Sequence, residues 1–163
     1  MARTSFQGPV RSLGGFYTQG PDTVINLANG TNTVTLDVAS YAGRVIRNKD
    51  ATFVITIPSI NTTANSPNNG PGTPPATLNN VGASFTFFIE TTASALSIKT
   101  DGTDKFVGSL LMVDTDTSGA ATGYAPASSN DVITFNGTTT GGIAGTMVTV
   151  TVLAANKYLV QGV

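Results

Sequence analysis

The run Asp114-Thr115-Asp116-Thr117-Ser118-Gly119 gathers carboxylate and hydroxyl oxygens at the spacing of a calcium loop. Carboxylates at loop positions one and three, serine at five and glycine at six match the oxygen-rich, sharply turned template. Position twelve is Ala125, where the template needs a bidentate glutamate, and the surrounding sequence carries no helical pattern. A solvated loop whose Asp side chains cap main-chain N–H groups is the expectation. Asp114 and Asp116 are the candidate ligands should a cation bind, with Asp101 and Asp104 as possible donors from a neighbouring loop. No resident metal or other cofactor is expected.

Other chemistries are poorly served. The chain has no His, no Cys and no Trp, which excludes Cys/His zinc sites, disulfides and every mechanism with a histidine base or cysteine nucleophile. Glu90 is the only glutamate, and no Asp stands in a fixed relation to it, as a glycosidase acid and its partner require. A Ser–Lys dyad has no supporting spacing. Gly141-Gly142-Ile143-Ala144-Gly145 lacks the Gly-Lys-Ser/Thr ending of a phosphate cradle and opens onto a strand pattern, so it reads as a tight turn or bulge at a close approach of chains. Asn29-Gly30-Thr31, Asn61-Thr62-Thr63 and Asn136-Gly137-Thr138 match the glycosylation triplet but read as turns. Catalytic residues are therefore not expected; the chain is read as a binding protein.

The elements that would carry such binding are strands. Apolar or β-branched residues alternate with polar ones over 33–38, 52–57, 84–91, 105–113, 131–135, 147–152 and 158–160, with shorter candidates at 23–27, 44–46 and 96–99. About nine or ten strands at spacings near ten residues predict an all-β fold, an antiparallel sandwich or barrel of jelly-roll-like character. Asn29-Gly30, Asn136-Gly137 and Asp101-Gly102 suggest type I′ turns between them. Phe85, Phe87 and Ile89, with Val148, Val150 and Val152, form the expected core. Phe88 points the other way, which predicts cover on both sides of its strand by another layer or subunit.

Two stretches fall outside this pattern. Residues 1–22 combine Gly and Pro with Phe6, Val10, Leu13, Phe16 and Tyr17, more apolar groups than a plain disordered tail holds. They are read as an extended N-terminal arm ahead of a single domain over 23–163. Within that domain, 59–82 is a Pro/Asn/Gly-rich loop expected to protrude. Charged residues are only 10% of the 163, against about 25% in ordinary domains. Ser, Thr and Asn surfaces can be covered by a neighbour more cheaply than ionic ones. Residues 1–49 hold five cations against two carboxylates, and 50–163 hold three against seven, a polarity suited to head-to-neighbour contact. A net charge of −1 argues against nucleic acid. No apolar run is long enough for a membrane helix, and residues 1–11 show no apolar leader core.

The C-terminal third carries a resemblance. Ser129-Asn130-Asp131-Val132-Ile133-Thr134-Phe135-Asn136-Gly137, the Gly-rich turn into a strand over Thr140 to Val150, and the closing Ala154-Ala155-Asn156-Lys157-Tyr158-Leu159-Val160-Gln161-Gly162 resemble small β-rich virion proteins of tailed bacteriophages. Phe53 to Pro58 and Phe85 to Ile89 fit the same pattern, so the likeness covers about residues 45–163. It implies a head decoration (cement) protein or another minor structural component, with no catalytic residues. The implied partners are the major capsid protein and further copies of the chain, most simply a trimer at local three-fold positions. The implied location is the capsid exterior, after synthesis in the host cytoplasm. On this expectation Phe6, Val10, Leu13, Phe16 and Tyr17 anchor the arm on a neighbour, and Arg3 and Arg11 pair with its acidic groups. A fibre, tip or carbohydrate-binding domain using loop 59–82 is the alternative.

Overall fold

The structure is a computed structural model that describes residues 24–27, 32–63, 79–112 and 121–163. The described residues form β1 (Val24–Leu27), β2 (Thr33–Thr35), the one-turn helix α1 (Val38–Tyr41), β3 (Val45–Asn48), β4 (Thr52–Thr56), β5 (Ser84–Ile89), β6 (Ala95–Lys99), β7 (Lys105–Met112), β8 (Thr122–Tyr124), β9 (Val132–Phe135), β10 (Met147–Ala154) and β11 (Lys157–Gly162). The fold is all-β, and each of the ten predicted segments contains a strand. The largest shortfall in extent is in 33–38, which ends at Thr35. Asp37 adopts extended backbone, its carboxylate accepts the N–H of Ser40 at 2.8 Å, and this cap turns the chain into α1. β8 was not expected; its Thr-Gly-Tyr sequence is exposed throughout and has no apolar period to read.

The strands make two sheets, β1-β3-β5-β10-β11-β7-β8 and β2-β4-β6-β9. The expected antiparallel order is corrected: five of the nine ladders are parallel, so both sheets are mixed, and neither closes into a barrel. The reason lies in the path of the chain. From β1 to β6 it changes sheet after every strand, so consecutive strands never pair and those that return to one sheet run the same way. Val24 sits opposite Val45 in one sheet and Thr33 opposite Val54 in the other, the same 21 positions apart, which makes this first stretch a two-sided coil. The hairpin β10–β11 then inserts between β5 and β7, antiparallel to β5 and parallel to β7.

The same path removes the predicted type I′ turns within the described residues. Asn136 and Asp101 lack the positive φ that such a turn needs at its first central residue. Instead the Asn136 side chain accepts the N–H groups of Thr138 and Thr140, both at 3.0 Å, and Asp101 accepts those of Thr103 and Asp104. These Asx turns carry the chain between sheets. Asn29-Gly30 lies outside the described residues.

One apolar cluster joins the sheets. Phe53, Ile55, Leu96, Ile98 and Phe135 from the smaller sheet meet Ile46, Phe85, Phe87, Val148, Val150, Tyr158 and Val160 from the larger, all buried. β4, β5, β6, β10 and β11 contribute every second residue, as the pleat requires. The Gly-rich run is a close approach, as read from the sequence: Gly142 is buried at φ +86°, and a Cβ there would lie 2.5 Å from the Cβ of Phe135.

Candidate docking surface

The residues between the buried ones decide what the outer face of the larger sheet presents. Register aligns them in rows. One row runs Val45, Thr86, Thr149, Gln161, Ser109; the next runs Ser84, Thr151, Leu159, Val107. The hydroxyls of Thr86 and Thr149 are 3.1 Å apart and hydrogen-bonded. At one end a third row runs Arg47, Phe88, Met147, and the last joins Val163 through two main-chain hydrogen bonds of 2.9 and 3.0 Å. Met147 and Val163 are 51% and 61% exposed, and Leu111 beside them is 44% exposed. Phe88 is only half-buried, so among the described residues its strand is not sealed on both sides.

Charge is pushed to the rims of this face. At the Phe88 end Glu90 accepts from Nε and one terminal nitrogen of Arg47 at 3.0 and 2.6 Å. At the other end Lys105 pairs with Asp131 at 2.8 Å, near Lys157. The Lys105 hydrogen bond holds the Asp131 carboxyl below the usual carboxylate range. The two middle rows, nine side chains across five strands, contain no ionisable group. An unbroken field of Thr, Ser, Gln, Val and Leu costs little to desolvate, because hydroxyls and amides lose far less than ions do.

The base of the long loop stands at one end of the same body. Asn80 is buried and closes it: its side chain accepts the N–H of Asn61 at 2.8 Å and donates to the carbonyl of Ser59 at 2.8 Å. Asp104, also buried, accepts the N–H of Ile60 at 2.9 Å, and the Tyr158 hydroxyl donates to the Pro58 carbonyl. Burial pushes the Asp104 carboxyl above the usual range; the Ile60 N–H and Lys105 oppose that shift, and the Asp101 charge adds to it. Burial also works on Asp101, but hydrogen bonds from the Ser59 hydroxyl and from main-chain N–H groups outweigh it and hold that carboxyl low. The Tyr158 hydroxyl is pushed far up by burial and by the charges of Asp104 and Asp101, so it stays a donor. Asp101 and Asp104, considered above as ligands, are thus main-chain caps.

This network gives a signed pH dependence. Asp104 binds its proton more tightly in the folded chain, so its contribution to stability is complete below pH 3.8 and is lost as pH rises through its raised pKa. Asp101 and Asp131 act oppositely, contributing above pH 3.8 and losing that contribution as pH falls. Asp104→Asn keeps an acceptor for Ile60 and removes the buried charge. It is expected to raise stability at pH 7 by about 1 kcal/mol, or about 2–4 °C in Tm. The gain should vanish near pH 3, where Asp104 is already protonated. Thermal melts of both chains at the two pH values check this.

Arg3, Phe6, Val10, Arg11, Leu13, Phe16 and Tyr17, and the candidate ligands Asp114 and Asp116, lie outside the described residues. Among the described residues no three acidic side chains group as metal ligands. The outer face was missed in the sequence as a surface. Its one legible signal was Phe88, set out of phase with its core neighbours. Comparisons with protein families, with curated proteins and with solved structures find no match to this chain.

Proposed function

We propose that this protein is a capsid decoration (cement) protein that binds the outside of a phage head and stabilises junctions between major capsid protein subunits. The observation that carries this reading is the uncharged outer face of the seven-stranded sheet, with Phe88, Met147 and Val163 at one end and ion pairs confined to its rims. Strand spacings of about 4.8 Å and rises of about 3.3 Å per residue make the face from β3 to β7 about 19 by 23 Å, or about 440 Å². A standard interface takes about 800 Å² from each partner. The face therefore needs help, and the arm supplies it: Phe6, Val10, Leu13, Phe16 and Tyr17 as apolar anchors, Arg3 and Arg11 as partners for acidic groups. In this reading the body serves as jelly-roll-like virion domains do, as a rigid β block with loops at its ends. The copies gather as a trimer at local three-fold positions on the virion exterior, after synthesis in the host cytoplasm.

The test is binding to purified heads of the source virus. Saturable binding at hundreds of copies per head, with the seven-stranded sheet against the shell in a reconstruction, is the expected result. Binding at a few tens of copies or fewer, at a vertex or tail, favours a fibre, tip or carbohydrate-binding domain. The pinned base of loop 59–82 supports that second reading, since Asn61 and Asn80 hold its two ends together. No binding to the particle at all overturns both.

A further inference from the structure

The two-sided coil leaves an open edge on each sheet where it starts. β1 ends the larger sheet and β2 the smaller, and among the described residues each is paired on one side only. The Asn32 carbonyl accepts from the N–H of Val54 and the Leu36 N–H donates to the Thr56 carbonyl, both at 2.8 Å. Main-chain groups alternate in direction along a strand, so the N–H and C=O of Thr33 and Thr35 face away from β4. The Leu27 carbonyl likewise accepts from the N–H of Lys49 at 3.3 Å, which turns the main-chain groups of Val24 and Asn26 away from β3. An uncovered edge of this kind invites pairing with another strand.

The period of the coil says which strand fits. One turn advances 21 positions in each sheet. Burial keeps its phase across that step: Leu27 and Asn48 are both buried, Leu36 and Ile57 are both buried, and half-buried Val34 stands opposite buried Ile55. The same step of 21 positions taken backward from β1 reaches residues 3–6, and from β2 residues 12–14. Phe6 falls at the position of buried Leu27, Leu13 at that of Val34, and Ser12 and Gly14 at those of exposed Thr33 and Thr35. Gly15, at the position of Leu36, brings no side chain but keeps the N–H that Leu36 donates. Pro9 and Pro21 fall outside both spans, where no ladder N–H is needed. The connections match as well: residues 7–11 are as many as 28–32, and 15–23 as many as 36–44.

We propose that in the free protein residues 3–6 and 12–14 add one more turn to the coil, pairing in parallel with β1 and β2 of the same chain. The connections have the lengths that the coil already uses, so the chain need not cross the body to reach either edge. A segment tethered at that length meets its own edges at an effective concentration in the millimolar range, which a second copy at micromolar concentration does not match. The pairing concerns the protein before it meets a shell and does not rest on the decoration reading. It covers both edges and shields Phe6 and Leu13 from water. On a head, these two side chains leave the edges to grip a neighbour.

The chain has no cysteine, so introduced pairs report the register without interference. In the full-length double variant Ser12→Cys, Thr33→Cys the two Cα atoms would stand one strand spacing, about 4.8 Å, apart, inside the disulfide range of about 4.4–6.8 Å. In Ser12→Cys, Thr35→Cys they would be about 8 Å apart, outside it. Thr33 and Thr35 are both exposed, so neither change disturbs the core. In a glutathione buffer at micromolar protein the first pair is expected to form an intramolecular disulfide at least tenfold more readily than the second, and the two are expected to become equal in urea. A second variant, Phe6→Asp with Leu13→Asp, is expected to speed N–H exchange at Thr33 and Thr35 at least tenfold while exchange in β10 and β11 stays as it was. Equal oxidation of the two pairs without urea overturns the pairing, as does a disulfide-linked dimer as the main product, or unchanged exchange at Thr33 and Thr35. None of these measurements involves a head, so the decoration reading stands or falls separately.

Discussion

Gly108→Ala is expected to lower the unfolding free energy by about 3–5 kcal/mol, a large share of the 5–15 kcal/mol that holds a typical domain together. Gly108 lies in β7, next to the edge strand β8, opposite Val160 of β11. Its φ is +113°, and a Cβ there would stand 2.3 Å from the Val160 carbonyl oxygen and 3.1 Å from the Val160 nitrogen and from Cδ1 of Leu159. Two of these three atoms belong to the main chain of a strand paired on both sides, so they cannot rotate away as a side chain would. Backbone strain of about 1–3 kcal/mol adds to overpacking of about 1–3 kcal/mol. Gly43→Ala separates the two causes. Gly43 also has a positive φ, +72°, but open space around its Cβ position. It should lose only about 1–2 kcal/mol, the left-handed cost alone. Urea unfolding of both variants measures the difference, and equal losses would show that the contact with Val160 is not the cause.

Gly108 also marks the limit of what could be read in advance. In the sequence it only interrupts an apolar run. The requirement for glycine comes from a strand more than fifty positions later. Strand positions were legible because the pleat writes a period of two into the chain: Phe85, Phe87 and Ile89 and Val148, Val150 and Val152 are buried as that period demands. Strand direction was not legible, because the same period serves parallel and antiparallel ladders. The Asn-Gly and Asp-Gly steps pointed to hairpins, yet Asn136 and Asp101 spend their side chains on Asx turns that send the chain to the opposite sheet. The coil offset of 21 positions was hidden for a similar reason. Thr33 and Val54 stand side by side in register but are chemically unlike, so no repeat shows in the letters. Of the candidate site, Phe88 was visible as out of phase. The uncharged rows around it come from β3, β5, β7, β10 and β11, and only the sheet order makes them neighbours. In the sequence Asp104 stands only as a candidate cation donor; its bond to Ile60, across 44 positions, makes it an internal cap.

Thr149→Lys should separate folding from docking. Thr149 is at the centre of the outer face, between Thr86 on β5 and Gln161 on β11. In the free protein a lysine there can extend over its neighbours into water, and the loss is the Thr86 hydroxyl bond, about 1 kcal/mol. On a capsid the same ammonium would be trapped beneath the interface without a partner. An uncompensated buried charge costs about 3–5 kcal/mol, which is at least about a hundredfold in affinity. Thr33→Lys changes net charge identically but sits exposed on β2, in the other sheet. It should bind heads as the unaltered chain does. Co-sedimentation of the three proteins with purified heads, alongside their thermal midpoints, reads both quantities. A hundredfold loss confined to Thr149→Lys, with Tm within a few degrees, identifies the face by its need for neutrality. Equal losses in both variants would assign the effect to net charge, and unchanged binding in both would move the capsid contact off this sheet.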